Sequence, residues 1–428
     1  MQRPAAGALL LFLPLLCALF AGCLGDGAPA MPKQALAPGA ERKAFDVQAR
    51  EFDLVADRDD RSHLAMAFIT PRADPVSPSW LAFAATHDAG ATWEVRRLCG
   101  DPLDPAALAE GAIGCPHWGA RLTSDPILMQ LDDGAFLYVG VALRADEVTL
   151  FASRHERDAM DPTWTTVVSR SAFNAFPGAH MAPAPYQVYY NGKPNVMQAS
   201  DGRLHLVWAA DLGIENDAGP MVTTGIPFAT ASGDGGRTWS TPVKLATEGF
   251  TDVAAIYAVG VEAFETRDGR LHAVWWESWT NQLVQVSSSD GGATWTEPRA
   301  IASVVGRPDG ARVDSDNVTR PWVGVDRSGG GRDGTVYVLA DDKSGGDRDL
   351  VLLRSADDGA TWDARTPAGL PSANGRDETM ARLLVEPSGA VAILYPSWDQ
   401  VERLEPFDMH LARSVDGGET FQSVRLSS

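Results

Sequence analysis

Short apolar runs separated by polar turns recur from about residue 44 to the end of the chain. Five of these runs follow an Asp-Gly or Ser-Gly pair, and such a pair between apolar segments is a strong hairpin signal. The runs are short and rich in Val, Leu, Trp, Tyr and Phe, as expected of strands that are buried on both faces. No stretch shows a long 3.6-residue period, so no long helix is expected. The predicted strands are His63–Thr70, Ala135–Leu143, Leu204–Ala210, Leu271–Glu277, Thr335–Ala340 and Ala390–Pro396.

A second pattern, Asp-x-Gly-x-Thr-aromatic, occurs five times along the same part of the chain. The last four copies are roughly 60 residues apart, and a period of this size indicates a repeat architecture. One unit lacks the pattern, but Ser153–Trp164 occupies the corresponding place and keeps the Ser and the Trp. The five copies are Asp88–Trp93, Asp234–Trp239, Asp290–Trp295, Asp357–Trp362 and Asp416–Phe421.

Together the two patterns define a unit of four strands, in which the Asp pattern forms the turn between strands three and four. Six apolar second strands predict six such units. We therefore expect residues 44–428 to form an all-β domain, a six-bladed β-propeller with four antiparallel strands per blade. A four-stranded sheet cannot bury both of its faces alone, so neighbouring sheets are expected to cover each other.

The repeated Asp is expected to have a structural role. Its carboxylate accepts backbone N–H groups in a tight turn, and the Gly permits a positive φ. The Thr hydroxyl satisfies a further backbone group, and the terminal aromatic ring packs between sheets. Carboxylates on five separate units cannot converge on one substrate. The structural residues predicted in this way are Asp88, Asp234, Asp290, Asp357 and Asp416.

The N-terminus is typical of an exported protein. Residues 1–22 contain an apolar run of signal-peptide length, and Phe20-Ala21-Gly22-Cys23 resembles a lipobox. Cys23 is then the expected site of lipidation, and the alternative is an ordinary signal peptide cut near Ala21 or Ala28. Either reading places the mature protein outside the cytoplasm. With lipidation, a monomer is expected on the outer side of the cell membrane, held there by its lipid.

Composition narrows the set of partners and cofactors. The 428 residues carry a formal net charge of −20, which argues against nucleic acid as a partner. Residues 23–43 are rich in Ala, Pro and Gly and predict a flexible linker. Cys99 and Cys115 remain as a pair in an exported chain, so a disulfide is expected between them. No His/Cys cluster has ligand spacing, so no metal or other cofactor is expected. Asp314–Asn317 offers oxygen ligands suited to Ca²⁺, but without the spacing of a known calcium loop.

The five Asp patterns closely resemble the Asp boxes, or bacterial neuraminidase repeats, of the sialidase superfamily. The resemblance covers residues 44–428 and implies the propeller fold. It also implies that a functional site would lie on the face away from the boxes, at the starts of first strands and the ends of second strands. Members with sialidase activity use three arginines to hold the substrate carboxylate, a Tyr nucleophile paired with a Glu, and an Asp as acid/base.

These roles are carried over to residues at matching places. The catalytic candidates are Asp74, Tyr257 and Glu277. The ligand-binding candidates are Arg121, Arg320, Arg382, Trp279 and Asp316. Each has a simpler alternative: the arginines would pair with acidic neighbours, and Asp74 would be a solvated loop residue. Trp275 and Trp276 are interpreted as packing between blades, whereas Trp279 lies past the strand and is the better sugar-binding candidate.

The chain departs from the sialidase pattern at several positions. Residues 44–56 contain no Phe-Arg-Ile-Pro motif, Glu277 stands where the family has an Arg, and Met380-Ala381-Arg382 stands where it has the Tyr. We therefore expect a sialidase-like lipoprotein that binds extracellular glycan or protein ligands without true sialidase activity. The alternative is an exo-acting glycoside hydrolase of sialidase type. That chemistry needs two carboxyl groups roughly 5–10 Å apart.

Overall fold

A computed structural model describes residues 52–70, 80–98, 122–143, 148–169, 187–216, 219–246, 258–278, 280–306, 320–372, 374–399 and 407–426. In these ranges the regular secondary structure consists of 25 β-strands, which form six antiparallel sheets. This confirms the fold class expected from the sequence, all-β with the six antiparallel blades of a β-propeller. Five of the sheets have four strands, and the sixth has five because its first strand is divided. No helix in the described ranges has the length and apolar character needed to cross a membrane.

The chain divides into two compact units. Unit one contains the described residues up to Ser169 together with Asp234–Thr238, and unit two contains the remainder. Unit one holds two blades. In blade one the strands are ordered β1 (Phe52–Ala56), β2 (Leu64–Thr70), β3 (Trp80–Thr86) and β4 (Glu94–Arg97). In blade two they are β5 (Leu122–Gln130), β6 (Phe136–Leu143), β7 (Val148–His155) and β8 (Thr163–Ser169).

Unit two holds four blades. Blade three contains β9 (Gln187–Gln198), β10 (Leu204–Asn216), β11 (Gly219–Ser232) and β12 (Val243–Lys244). Blade four contains β13 (Ala258–Glu265), β14 (Leu271–Glu277), β15 (Gln282–Ser288) and β16 (Arg299–Ser303). Blade five contains β17 (Trp322–Val325), β18 (Val336–Asp342), β19 (Asp349–Ser355) and β20 (Asp363–Arg365). Blade six contains β21 (Asp377–Glu378), β22 (Arg382–Val385), β23 (Val391–Trp398), β24 (Phe407–Ser414) and β25 (Gln422–Arg425).

The apolar second strands lie where the hydrophobic pattern places them, and their side chains fill the space between neighbouring sheets. In blade four every residue of β14 is buried. Trp275 packs with Val207 of blade three, and Trp276 packs with Val336 and Val338 of blade five. Consecutive side chains of a strand point to opposite faces, so the two tryptophans cover opposite sides of one sheet. Their role is packing between blades, as the sequence predicts.

Two strands differ from the expected pattern. In blade three β10 continues to Asn216, beyond the predicted end at Ala210, and pairs with β11 along its whole length. Backbone pairing thus extends past the apolar run that marked the strand in the sequence. In blade six the first strand is divided into β21 and β22, which both pair with β23. The division coincides with Met380, whose φ is +54°, a value that interrupts a ladder.

The repeated Asp residues hold their own turns between the third and fourth strands. In each box one carboxylate oxygen accepts from the Thr backbone N–H at 2.8–3.0 Å, and the other accepts from the Thr hydroxyl at 2.5–2.6 Å. The bond from the Thr294 hydroxyl is the main reason that the pKa of Asp290 is lowered to about 2. The aromatic residue completes the turn, as Trp362 shows by packing against Phe264 of the neighbouring blade. The charged form of Asp290 is thereby the favoured one.

Candidate functional site

Of the predicted catalytic and ligand-binding residues, Arg320, Arg382 and Glu277 lie in the described part of the chain, and all three belong to unit two. The remaining candidates lie outside the described residues, as do the signal peptide, the linker and the Asp314–Asn317 segment. Those candidates are Asp74, Arg121, Tyr257, Trp279, Asp316, Cys23, Cys99 and Cys115.

Arg320 and Arg382 meet at one aromatic ring. Arg320 lies just before β17 and Arg382 begins β22, so the two come from the first strands of blades five and six. Their guanidinium carbons lie 4.6 Å and 3.5 Å from the centre of the Trp322 ring. The negative potential above an indole face attracts cations, so the ring stabilises both charges where they would otherwise repel each other. We call Arg320, Trp322 and Arg382 the arginine–tryptophan cluster.

Arg320 is also held by a buried carboxylate. Glu262 of β13 is 3% exposed, and its Oε1 accepts from Arg320 Nη2 at 3.3 Å. The Glu262 Oε2 accepts from Asn195 Nδ2 of β9 at 2.8 Å. A chain of polar contacts therefore runs across the first strands of blades three, four and five and ends at the cluster. Such a chain restricts the rotamers of Arg320 and leaves its guanidinium in a defined place.

A glycine makes room for this arrangement. Gly260 has a φ of +61°, and a β-carbon added there would lie 2.3 Å from Arg320 Cγ. The pairing of β13 with β14 shifts register between Val259 and Glu262, so the strand carries an irregularity at this point. A positive φ is natural for glycine and costly for other residues. The local bend thus serves two needs: it admits the stem of Arg320 and it places Glu262 beside the guanidinium.

Glu277, a predicted catalytic residue, lies buried at the end of a second strand. It is the last residue of β14 and is 1% exposed. Its Oε2 accepts from the Thr280 backbone N–H at 2.9 Å and from the Thr280 hydroxyl at 2.5 Å. These bonds close the turn between β14 and β15. These two bonds of Glu277 therefore stabilise the turn.

A second acidic group lies at the start of blade six. Glu378 of β21 is fully buried, and its Oε1 accepts from the Ser397 hydroxyl at 2.6 Å and from Asn374 Nδ2 at 3.2 Å. Its Oε2 makes no hydrogen bond within the described part of the chain. Burial raises the pKa of Glu378 above its ordinary value, and the nearby charges of Asp349 and Asp347 raise it further. A carboxyl group in such a place favours its protonated form.

The surroundings of Glu378 are held by two arginines. Arg376 donates from Nε to the Ser397 hydroxyl at 2.8 Å and also pairs with Asp399. Arg348 is 1% exposed and donates from Nη1 to Asp341 Oδ2 at 2.7 Å. The backbone carbonyl of Arg348 accepts from the Glu378 N–H at 2.8 Å. These contacts connect the ends of the second strands of blades five and six to the start of blade six.

Sequence reasoning identified the arginines but not what holds them. Trp322 gave no functional signal, because an aromatic residue in a short strand is usually a packing residue. Glu262 is far from Arg320 in the sequence, and only the fold brings them together. In unit one, His63, His87 and Asp158 offer ligand atoms within 4.8 Å of one another, which makes them the group in the described ranges that could hold a metal ion.

Comparisons with known proteins agree with the architecture. Residues 144–427 match the family described as BNR repeat-like domain. The matched range covers more than half of the chain. The protein belongs to this family of sialidase-like repeat proteins. No curated protein sequence matches it significantly.

Several solved structures are similar in fold. The α-L-arabinofuranosidase from Fusarium graminearum is 13% identical with a TM-score of 0.50, over 89% of this chain and 93% of that one. The intramolecular trans-sialidase from Ruminococcus gnavus is 14% identical with a TM-score of 0.50, over 87% and 96%. A protein of unknown function from Dyadobacter fermentans is 16% identical with a TM-score of 0.46, over 82% and 91%. At these identities the two structures with a TM-score of 0.50 show a likeness of fold alone.

Proposed function

We propose that this protein binds carboxylate-bearing glycans outside the cell through Arg320 and Arg382, without cleaving them as a sialidase does. The observation that carries the proposal is the convergence of both guanidinium groups on the Trp322 ring. One of the two is already oriented by Glu262, so little conformational entropy is lost when a ligand binds. The lipid on Cys23 would keep this binding surface at the cell membrane.

A planar carboxylate is the ligand chemistry that fits two guanidiniums gathered at one aromatic ring. Each guanidinium presents a fork of N–H donors that matches the two oxygens of a carboxylate, and such charge-assisted bonds are the strong ones. The protein as a whole carries a net charge of −20, so long-range attraction of an anion is not available to it. Binding would therefore depend on close contacts. Acidic sugars such as sialic and uronic acids combine that carboxylate with a small ring.

Two features support binding without sialidase turnover. The residues at the position of the family's nucleophilic Tyr are Met380-Ala381-Arg382, and a Met side chain offers no nucleophilic oxygen. Glu277, one of the proposed catalytic carboxylates, has its Oε2 engaged by Thr280. The interpretation of a binding module follows from these two positions together with the arginine–tryptophan cluster.

The second candidate function is glycoside hydrolysis, and the observation that favours it is the buried Glu378. A general acid must hold its proton near neutral pH, and burial of Glu378 raises its pKa in that direction. Hydrolysis would also need a second carboxylate at the distances that glycosidases use. Glu378→Gln removes the proton donor while keeping the shape, so loss of turnover in this variant would identify it as the acid.

A glycan array with the purified protein tests the proposal. We expect binding to sialylated and uronic oligosaccharides, little binding to their neutral counterparts, and loss of the signal in Arg382→Ala. Arg203→Ala, in an exposed turn of blade three, is the matched control and should bind as the wild type does. Parallel assays with fluorogenic sialosides and arabinofuranosides should show no release. Turnover that is abolished by Glu378→Gln would replace the binding proposal with the hydrolase.

The surface anchor has its own test. Cells that produce the wild-type protein should retain it in the membrane fraction and release it only with detergent. The Cys23→Ser variant lacks the thiol that would carry lipid and should appear in the soluble exported fraction. Membrane retention of Cys23→Ser would exclude lipidation at this residue.

A further inference from the structure

Three turns of unit one bring two imidazoles and a carboxylate together. His63 lies in the turn between β1 and β2, His87 in the turn between β3 and β4, and Asp158 in the turn between β7 and β8. Turns after the odd-numbered strands of an antiparallel blade share one end of the sheet, so these three belong to the same end of blades one and two. One ligand atom from each lies within 4.8 Å of the other two.

His63 is prepared for metal binding by a buried partner. Its Nδ1 lies 3.1 Å from Asp57 Oδ2, and Asp57 is 1% exposed. A carboxylate accepts hydrogen bonds, so Nδ1 of His63 carries the hydrogen and the lone pair is on Nε2. This carboxylate–imidazole pairing is the usual support of a metal-ligating histidine, because it fixes both the tautomer and the ring orientation.

Asp57 is itself held in place from two directions. Its Oδ1 accepts from the Asp59 backbone N–H at 2.9 Å, and its Oδ2 accepts from Arg157 Nε at 2.7 Å. Arg157 is the residue next to Asp158, so this ion pair positions the blade-two turn against the turn of blade one that carries His63. It also offsets the charge of Asp57 and leaves Asp158 as the anionic member of the ligand set. The ligand-bearing turns are therefore positioned before any ion binds.

The repeat does not explain these residues. In every blade, the backbone N–H just after the first strand donates to a carbonyl at the end of the following turn. In blade one that carbonyl belongs to His63, and in the other blades the residue at this place is not a histidine. The corresponding residues are Ala135, Arg203, Arg270, Thr335 and Ala390. The residue before the box Asp is His87 in blade one and Gly233, Ser289, Ala356 or Val415 elsewhere. Asp158 belongs to the one turn that lacks the Asp box. All three ligands thus fall where blades one and two depart from the common pattern.

From this geometry we propose that His63, His87 and Asp158 bind a divalent transition metal ion of the Zn²⁺ type, with water as the fourth ligand. Two imidazole nitrogens and one carboxylate oxygen suit Zn²⁺, whereas Ca²⁺ and Mg²⁺ prefer oxygen ligands throughout. The ion ties the turns of blades one and two together. This site is separate from the arginine–tryptophan cluster and does not depend on the proposed glycan binding.

Binding requires one small movement. The rings of His63 and His87 are stacked, with centroids 4.1 Å apart and planes 23° apart. Ligand bonds of about 2 Å place the donor atoms of a tetrahedral ion a little over 3 Å from each other. His87 and Asp158 are exposed, so the His87 ring can tilt and the carboxylate can approach while His63 stays in place.

The test is titration of the purified protein, prepared without a histidine tag, with ZnCl₂ by calorimetry and with CoCl₂ by visible absorption. We expect one ion per chain, a tetrahedral Co²⁺ spectrum, and a rise of the melting temperature on adding Zn²⁺. His87→Ala and Asp158→Asn each remove an exposed ligand and should weaken binding tenfold or more without unfolding the chain. Asp161→Asn, an exposed carboxylate in the same turn, is the control and should bind normally.

Two results would overturn the assignment. One is the absence of stoichiometric binding of either ion to the folded wild-type protein. The other is binding that His87→Ala and Asp158→Asn leave unchanged, because the ion would then be held elsewhere in the chain. Circular dichroism of each variant shows that a loss of affinity does not come from unfolding.

Discussion

Glu262 and Arg320 form an ion pair that joins blades four and five, with Arg320 Nη2 at 3.3 Å from Glu262 Oε1. The side chains are 4% and 17% exposed, so both charges are largely removed from water. Each compensates the cost of burying the other, and the centre of the Trp322 ring lies 4.6 Å from the guanidinium carbon. The pair therefore determines where the positive charge of Arg320 is presented.

Removing the Glu262 carboxylate alone should lower the free energy of unfolding. Glu262→Ala leaves a buried guanidinium without its carboxylate, and breaking one side of such a pair typically costs about 3 kcal/mol or more. We expect urea denaturation to show a loss of about 2–4 kcal/mol in the free energy of unfolding. The double variant with Arg320→Ala should lose less than the sum of the two single variants. Additive losses would show that the two side chains are not coupled.

Gly260 should tolerate no side chain. Gly260→Ala places a β-carbon 2.3 Å from Arg320 Cγ on a backbone with φ of +61°. We expect a loss of more than 2 kcal/mol, since a left-handed conformation alone costs about 1–2 kcal/mol. Gly269→Ala is the matched control, because its φ is +77° and nothing lies within 4 Å of the added carbon. Equal losses in the two variants would mean that the contact with Arg320 is not restrictive.

His272 should make unit two sensitive to mild acid. It is buried, and this burial is the main cause that lowers its pKa to about 4 from an ordinary value of 6.5. Gln285 accepts from Trp362 Nε1 at 2.8 Å through Oε1, so its Nε2 faces His272 Nδ1 at 2.6 Å. A second proton on the ring would meet this N–H donor. The neutral ring is the form that the contacts satisfy.

The direction of the pH dependence follows from that shift. The folded-state pKa of His272 lies below the unfolded one, so the unfolded chain binds more protons between pH 6.5 and about 4. The contribution of the neutral His272 ring to the free energy of unfolding is fully present above pH 6.5. It decreases as the pH falls, by about 3 kcal/mol at pH 4. Urea denaturation at pH 7, 5.5 and 4.5 should show a smaller decrease for His272→Gln than for the wild type. Equal decreases in the wild type and in His272→Gln would contradict the lowered pKa of His272. His87→Gln, measured in EDTA, is the control.

The sequence predicted most of the fold because the relevant signals are local. An apolar second strand such as Leu271–Glu277 is visible as a run, and Asp290–Trp295 carries its turn chemistry within six residues. The extended hairpin of β10 and β11 was not predicted, since its pairing continues where the apolar pattern ends. Local patterns therefore define the blades but not every strand length.

The candidate site was predictable only in part. Arg320 and Arg382 could be placed at the starts of first strands, but the Trp322 ring that both contact could not be distinguished from a packing residue. Glu262 reaches Arg320 at a register shift in β13. Such a shift has no reliable signature in a single sequence. The group of His63, His87 and Asp158 depends likewise on contacts between separate turns. Sites built across blades require the structure.

The most direct test of the proposed function is calorimetric comparison of each acidic glycan with its uncharged counterpart. The pairs are 3′-sialyllactose with lactose, and tetragalacturonate with its methyl ester. For at least one pair we expect the acid to bind tenfold or more tightly, since a charge-assisted hydrogen bond contributes about 1.5–3 kcal/mol. The preference should disappear in Arg382→Ala and persist in Arg203→Ala. Equal affinity within both pairs, or a preference that survives Arg382→Ala, would contradict recognition of a carboxylate by the arginine–tryptophan cluster.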